Sequence, residues 1–160
     1  LAALGYRVTA SDVSADMLRV AQEKARKKGF AVPFVEQDMR FLSAHRPADA
    51  VLAACDGVNY LLSEDDLCTV FSAAARALKP GGLLLSCSCA GLLPEAEFMK
   101  LLLSAARQAG AERPPDAEGR VLRDARRMQI LARTGASADH PVASDFPESE
   151  YLKAVFMRLE

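Results

Sequence analysis

Residues 5–18 read GYRVTASDVSADML, a β-branched stretch that closes on an acid, Asp12, and runs at once into a helix start. Burying an uncompensated carboxylate is costly. A strand that ends in one therefore places it at the strand's carboxyl end, where a ligand or a helix can use it.

Working outward, strand and helix patterns alternate. Residues 6–12 form the first strand. Ser14 stands at an N-cap position, and Met17, Leu18, Ala21 and Ala25 are spaced to make one apolar helix face. The basic stretch Arg26-Lys27-Lys28 and Gly29 suit the end of that helix. AVPFVEQD (31–38) is a second strand closing on an acid, and ADAVLAACD (48–56) a third, near-continuously apolar, as strands buried on both faces are. Ser63 caps EDDLCTVFSAAARAL, and Lys79-Pro80-Gly81-Gly82 is a stop signal. LLLSCSC (83–89) is a fourth strand, and Pro94 opens a helix running to about residue 110. After a polar break at 111–120, RMQILART (127–134) and YLKAVFMRLE (151–160) are strand-like and predict an antiparallel pair at the sheet edge. The alternation implies right-handed crossovers and an α/β fold, a mostly parallel sheet covered on both faces.

The chain has 160 residues, 51% of them hydrophobic and 26% charged, which suits one globular domain with a sizeable core. A net charge of −1 gives no global attraction to nucleic acid or an anionic membrane. No apolar run approaches the roughly 20 residues that span a bilayer, and no signal-peptide pattern appears. Cys55, Cys68, Cys87 and Cys89 lack the spacing of a metal knuckle, so no metal is expected and a reducing cytoplasm is the default reading.

In doubly wound sheets ligands bind beyond the carboxyl ends of the strands. There Asp12 can accept hydrogen bonds from the ribose hydroxyls of an adenosine cofactor; alternatively it caps the following helix. A glycine loop about 20 residues before such an acid would fall upstream of Leu1, and LAALGY resembles the back end of a helix already under way. In VEQDM (35–39), Asp38 stands at the next strand end, placed to accept from an adenine amino group.

With ALKPGGLLL (77–85), these segments resemble the class I S-adenosylmethionine-dependent methyltransferases. The resemblance covers roughly residues 1–85. It implies a Rossmann-like sheet of seven strands, six parallel and one antiparallel, with S-adenosylmethionine as cofactor. The chain then reads as a single incomplete methyltransferase domain, 1–160, lacking the first strand and glycine loop. Asp12 and Val13 match the ribose-binding position, and Asp38 and Met39 the adenine-contacting motif. ADAVLAACDGVNYLL matches the fourth motif of the small-molecule members, and implies cofactor contact for Asp56 and substrate contact for Asn59 and Tyr60. A turn-stabilising Asx motif is the alternative for Asp56 and Asn59.

Cys87 and Cys89 alternate along a strand and should share a face. As small hydrophobes they can be plain core. From about residue 82 onward, however, SCSCAGLL and ADHPVASDFPESEYLKAVFMRLE (138–160) resemble the cytosine-5 methyltransferases of large-subunit ribosomal RNA. That resemblance implies an RNA substrate, with Cys89 as nucleophile and Cys87 in support. Thiolate addition at C6 of cytosine makes C5 nucleophilic, so one hard step becomes two easier ones. The RNA enzymes carry an Asp-Pro-Pro step at the end of the family's fourth strand, the counterpart of residues 48–56 here, whereas in this chain Gly57 and Val58 follow Asp56. The chain therefore reads as mosaic. The leading expectation is ribosomal RNA cytosine methylation through Cys89. The alternatives are a small-molecule methyltransferase with structural cysteines, and a non-catalytic remnant.

Arg120, Arg123, Arg126, Arg127 and Arg133 are either a phosphate-tracking cluster or a solvated face. Tyr60 and Phe146 offer stacking surfaces or core. His140 is a candidate base or a loop-ordering residue, and His45 carries no signal.

Overall fold

The computed structural model describes residues 1–54, 57–88, 94–109, 128–134 and 153–159. Its chain divides into two compact units, 1–42 and 43–160.

The first unit holds β1 (Ala10–Asp12), α1 (Ala15–Lys27) and β2 (Phe34–Glu36), with short 3-10 turns at Ala2–Leu4 and Met39–Phe41. β1 and β2 pair in parallel with Asp12 opposite Glu36, so both strands end at the same level. Ser14 caps α1, its Oγ accepting from the Met17 N–H at 3.3 Å. At the other end Gly29 (φ 72°) lets the chain reverse. The Gly29 N–H donates to the Arg26 carbonyl and the Phe30 N–H to the Ala25 carbonyl, a complete Schellman closure. Leu18, Ala21 and Ala25 are half-buried as their spacing predicts, but Met17 is 62% exposed and lies off that face.

The second unit holds β3 (Ala48–Ala53), a 3-10 turn at Gly57–Tyr60, α2 (Glu64–Ala77), β4 (Leu78–Ser88), α3 (Glu95–Ala109), β5 (Met128–Thr134) and β6 (Lys153–Leu159). Its sheet order is β3-β4-β6-β5, with β3 and β4 parallel and β6 antiparallel to both of its neighbours. The expected antiparallel pair thus closes one edge, and the strand that runs against the rest is β6, one in from that edge.

β4 begins at Leu78, immediately after α2, five residues earlier than the stop signal implies. Lys79-Pro80-Gly81-Gly82 ends the helix without delaying the strand: the ladder jumps from Ala48–Leu78 to Ala50–Leu83, and the turn is taken up as an irregularity. Beyond it, alternation sorts the two faces. Leu84, Ser86 and Ser88 are buried on the face that also receives Val155, Met157 and Leu159 of β6. Phe71, Ala74 and Ala75 of α2 and Phe98, Leu102 and Ala105 of α3 complete this core. The opposite face carries the row Leu52–Leu85–Phe156, in which Leu52 and Phe156 remain 48% and 39% exposed. Among the described residues no helix is long and apolar enough to cross a membrane.

Candidate functional site

In the first unit, parallel pairing brings two of the singled-out acids to one sheet end. The Asp12 carbonyl accepts from the Gln37 N–H at 3.0 Å, which extends the pairing by one residue and sets Asp38 just beyond it. Asp12 Oδ1 accepts from the Ser14 N–H at 2.8 Å, a local Asx turn that fixes the carboxylate. Ser14, not Asp12, supplies the helix cap, which weakens the capping alternative. Val13 follows on the surface, 68% exposed.

Asp38 caps the Met39–Phe41 turn, with Oδ1 accepting from the Arg40 N–H at 2.8 Å. The Arg40 guanidinium closes on both oxygens, Nε lying 3.1 Å from each and Nη2 2.6 Å from Oδ2. Met39 is half-buried beside it. The side-chain hydrogen bonds from Arg40, followed by its backbone N–H, hold the Asp38 carboxyl below the usual carboxylate range, against a smaller opposing effect of desolvation. A depressed folded-state pKa contributes stability that is present above the unfolded value and lost as pH falls through the folded one. Replacing Arg40 with Gln should therefore raise the Asp38 midpoint towards the ordinary range in a carboxyl NMR titration. An unmoved midpoint would show that the backbone cap alone sets it.

In the second unit, the carboxyl end of β4 meets the Gly57–Tyr60 turn. Val58, 8% exposed, anchors that turn in the core. Ser88 Oγ, fully buried, donates to Asn59 Oδ1 at 2.7 Å across 29 residues of sequence. Tyr60 is 80% exposed. A cleft of about 400 Å³ opens beside this bond. Val58, Leu61, Leu67, Phe98 and Leu101 give it an apolar wall, and Asn59, Ser63, Glu64, Ser88 and Glu97 supply its polar groups.

Ser88 and its cross-strand neighbour Lys153, only 5% exposed and already engaged, were not singled out from sequence. A serine alternating with cysteines and a lysine opening an apolar strand were the available signals. Ser86 Oγ is also buried, with no hydrogen-bond partner among the described residues. Cys87 is half-buried and opposite in face to Ser86 and Ser88. Asp56, Cys89, His140, Phe146 and the arginines at 120–127 lie outside the described residues. Arg133 is described and meets Glu95 of α3 at 3.4 Å. No group of three or more potential metal ligands forms among the described residues.

The fold has clear counterparts. A crystal structure of an S-adenosylmethionine-dependent methyltransferase from Clostridium acetobutylicum superimposes with a TM-score of 0.69 at 16% identity, covering 96% of this chain and 75% of that one. The N-methyltransferase NodS of Bradyrhizobium japonicum, solved with S-adenosyl-l-homocysteine, gives 0.63 at 16% identity, covering 96% and 66%. Among curated proteins, YqeM of Bacillus subtilis, named as a methyltransferase with no substrate stated, is 36% identical over 104 residues, 61% of this chain and 42% of its own length. Ribosomal RNA large subunit methyltransferase I of Shewanella amazonensis is 40% identical over 86 residues, 54% of this chain and 18% of its own length. The chain thus spans less than half the length of either curated relative. The model of the methyltransferase domain matches residues 1–82, more than half of the sequence. With the strand-end acids and the strand order already in place, the chain belongs to the methyltransferase domain family.

Proposed function

We propose that this chain serves methyl transfer from S-adenosylmethionine to a small-molecule acceptor seated in the cleft beside Asn59 and Ser88. The observation that carries this reading is the cleft itself. Its volume of about 400 Å³ suits a metabolite-sized acceptor, and its lining joins an apolar wall to the polar groups of Asn59, Ser63, Glu64, Ser88 and Glu97.

Asp12 fits a ribose, because its turn-fixed carboxylate stands at the end of β1 and among the described residues only the Ser14 N–H donates to it. Asp38 fits an adenine amino group, as an ionised acceptor kept so by Arg40. Val13 and Met39 flank them as apolar contacts; Asp56, assigned to the cofactor by resemblance, lies outside the described residues. The cofactor supplies a methyl group made electrophilic by its sulfonium. The chain's own part is to bind, orient and exclude water. Asn59 lines the acceptor cleft, held in place by Ser88, whereas Tyr60, next in sequence, is exposed and outside the cleft's lining.

A second reading is favoured by the ribosomal RNA relative. In it Cys89 adds to C6 of a cytosine and releases it after C5 has been methylated and deprotonated. The two readings separate in a transfer assay with methyl-labelled cofactor, offered total ribosomal RNA in one arm and a protein-free metabolite extract in the other. The first predicts label in the metabolite arm, changed less than about twofold by Cys89→Ser, a surface-scale effect. Label confined to RNA and abolished by Cys89→Ser would overturn it.

A further inference from the structure

The charge around the cleft points to what the acceptor carries. From residue 47 to residue 75 the sequence contains Asp49, Asp56, Glu64, Asp65 and Asp66 and not one Lys, Arg or His. From 80 to 99 it contains Glu95 and Glu97 and again no basic residue. Of these acids, Asp49 is paired with Lys79 at 2.7 Å, and Glu95 with Arg133. Glu64 and Glu97 reach the cleft from the first turns of α2 and α3. Neither forms an ion pair or side-chain hydrogen bond among the described residues. The nearby cations are otherwise placed: Lys153 is buried behind Ser88 and already engaged, and Lys100 is exposed on α3 outside the cleft lining.

We propose that this cleft is the recognition site for a small primary amine on an apolar body, its ring or chain against Val58, Leu67, Phe98 and Leu101 and its ammonium between Glu64 and Glu97. The proposal rests on the small-molecule reading above and specifies it. Apolar burial supplies most of the attraction, while the two carboxylates set its sign. An anionic acceptor meets two carboxylates and no compensating cation in the described lining. Acids in a first turn also offset the helix dipole, but that role by itself would not discriminate between ligands that share a ring and differ in charge.

That discrimination is the test. The 160-residue chain, labelled with ¹⁵N, is titrated with phenethylamine, 2-phenylethanol and 3-phenylpropionate, which share a phenyl ring and carry positive, zero and negative charge. The amine is expected to bind tightest, shifting the amides of 58–67 and 97–101. Glu64→Gln and Glu97→Gln should each weaken it about two- to fivefold, the scale of a partly exposed ion pair. Both substitutions should leave 2-phenylethanol binding unchanged. Equal binding of all three in the cleft would overturn the amine preference while leaving the small-molecule reading standing. If none of the three shifts these amides at tens of millimolar, the cleft is no acceptor site and both readings fall. A Glu97→Gln variant that weakens the alcohol as much as the amine would show the acid to be structural only, and would also sink the proposal.

Discussion

Leu102→Ala should destabilise the 43–160 unit by about 2–5 kcal/mol, the scale for emptying a fully buried leucine site. Leu102 has no exposed surface and lies on the face of α3 that packs with Phe98 and Ala105 into the core formed with α2 and the sheet. Truncation removes the transfer energy of its side chain. It also leaves a void that two helices and a sheet cannot easily close around. In a denaturant titration the midpoint should fall with little change in slope, because the surface exposed on unfolding is nearly the same. Leu62 provides the contrast: it is 94% exposed at the cleft rim, and Leu62→Ala should stay within about 0.5 kcal/mol. A large effect at Leu62 and none at Leu102 would mean that α3 does not pack as described.

Gly82→Ala should cost about 1–3 kcal/mol, as overpacking does. A Cβ at this position would stand 2.8 Å from the Lys79 carbonyl oxygen, with Leu78 Cδ2 at 3.0 Å and Leu78 Cβ at 3.2 Å. The nearest of these is backbone, so the turn itself must move. The consequence reaches the site, because this turn sets where β4 enters its ladder with β3. Altering it should disturb the level at which Ser88 meets Asn59. Gly82→Ala should therefore lower the thermal midpoint and also speed amide exchange at 57–61. A variant as stable as the parent, with unchanged exchange, would contradict the tight turn.

Much of this was legible in the sequence, for identifiable reasons. Alternation of strand and helix is a local signal, so the order of elements from β1 to β6 was readable. So were the Ser14 and Ser63 caps, which need only a serine and a helix-forming run after it. Strand ends were less so: β1 and β2 each hold three residues where seven or eight were expected. Pairing partners decide strand length, and those are not local. β4 starts earlier than its sequence implies because Pro80 and Gly81, which usually mark a loop, here sit in a ladder irregularity.

The two parts of the candidate site divide in the same way. Asp12 and Asp38 stood out because an acid closing an apolar run is anomalous in itself. Arg40, which governs Asp38, did not, because an arginine two residues beyond an acid is ordinary. The Ser88–Asn59 bond joins positions 29 residues apart, and no periodicity in one sequence predicts it. In SCSC the cysteines carry the chemical signal, while Ser86 and Ser88, which alternate with them, face the buried side. Among them Ser88 lines the cleft.

The ends of β1 and β2 are proposed to hold the adenosine part of the cofactor. Titrating the ¹⁵N-labelled chain with S-adenosylhomocysteine tests it most directly. The account predicts saturable shifts at Asp12, Val13 and Ser14 and at Asp38, Met39 and Arg40. It also predicts at least about tenfold weaker binding in Asp12→Ala, the loss expected for hydrogen bonds to a charged acceptor. Shifts confined to other positions, or equal affinity in Asp12→Ala, would contradict it.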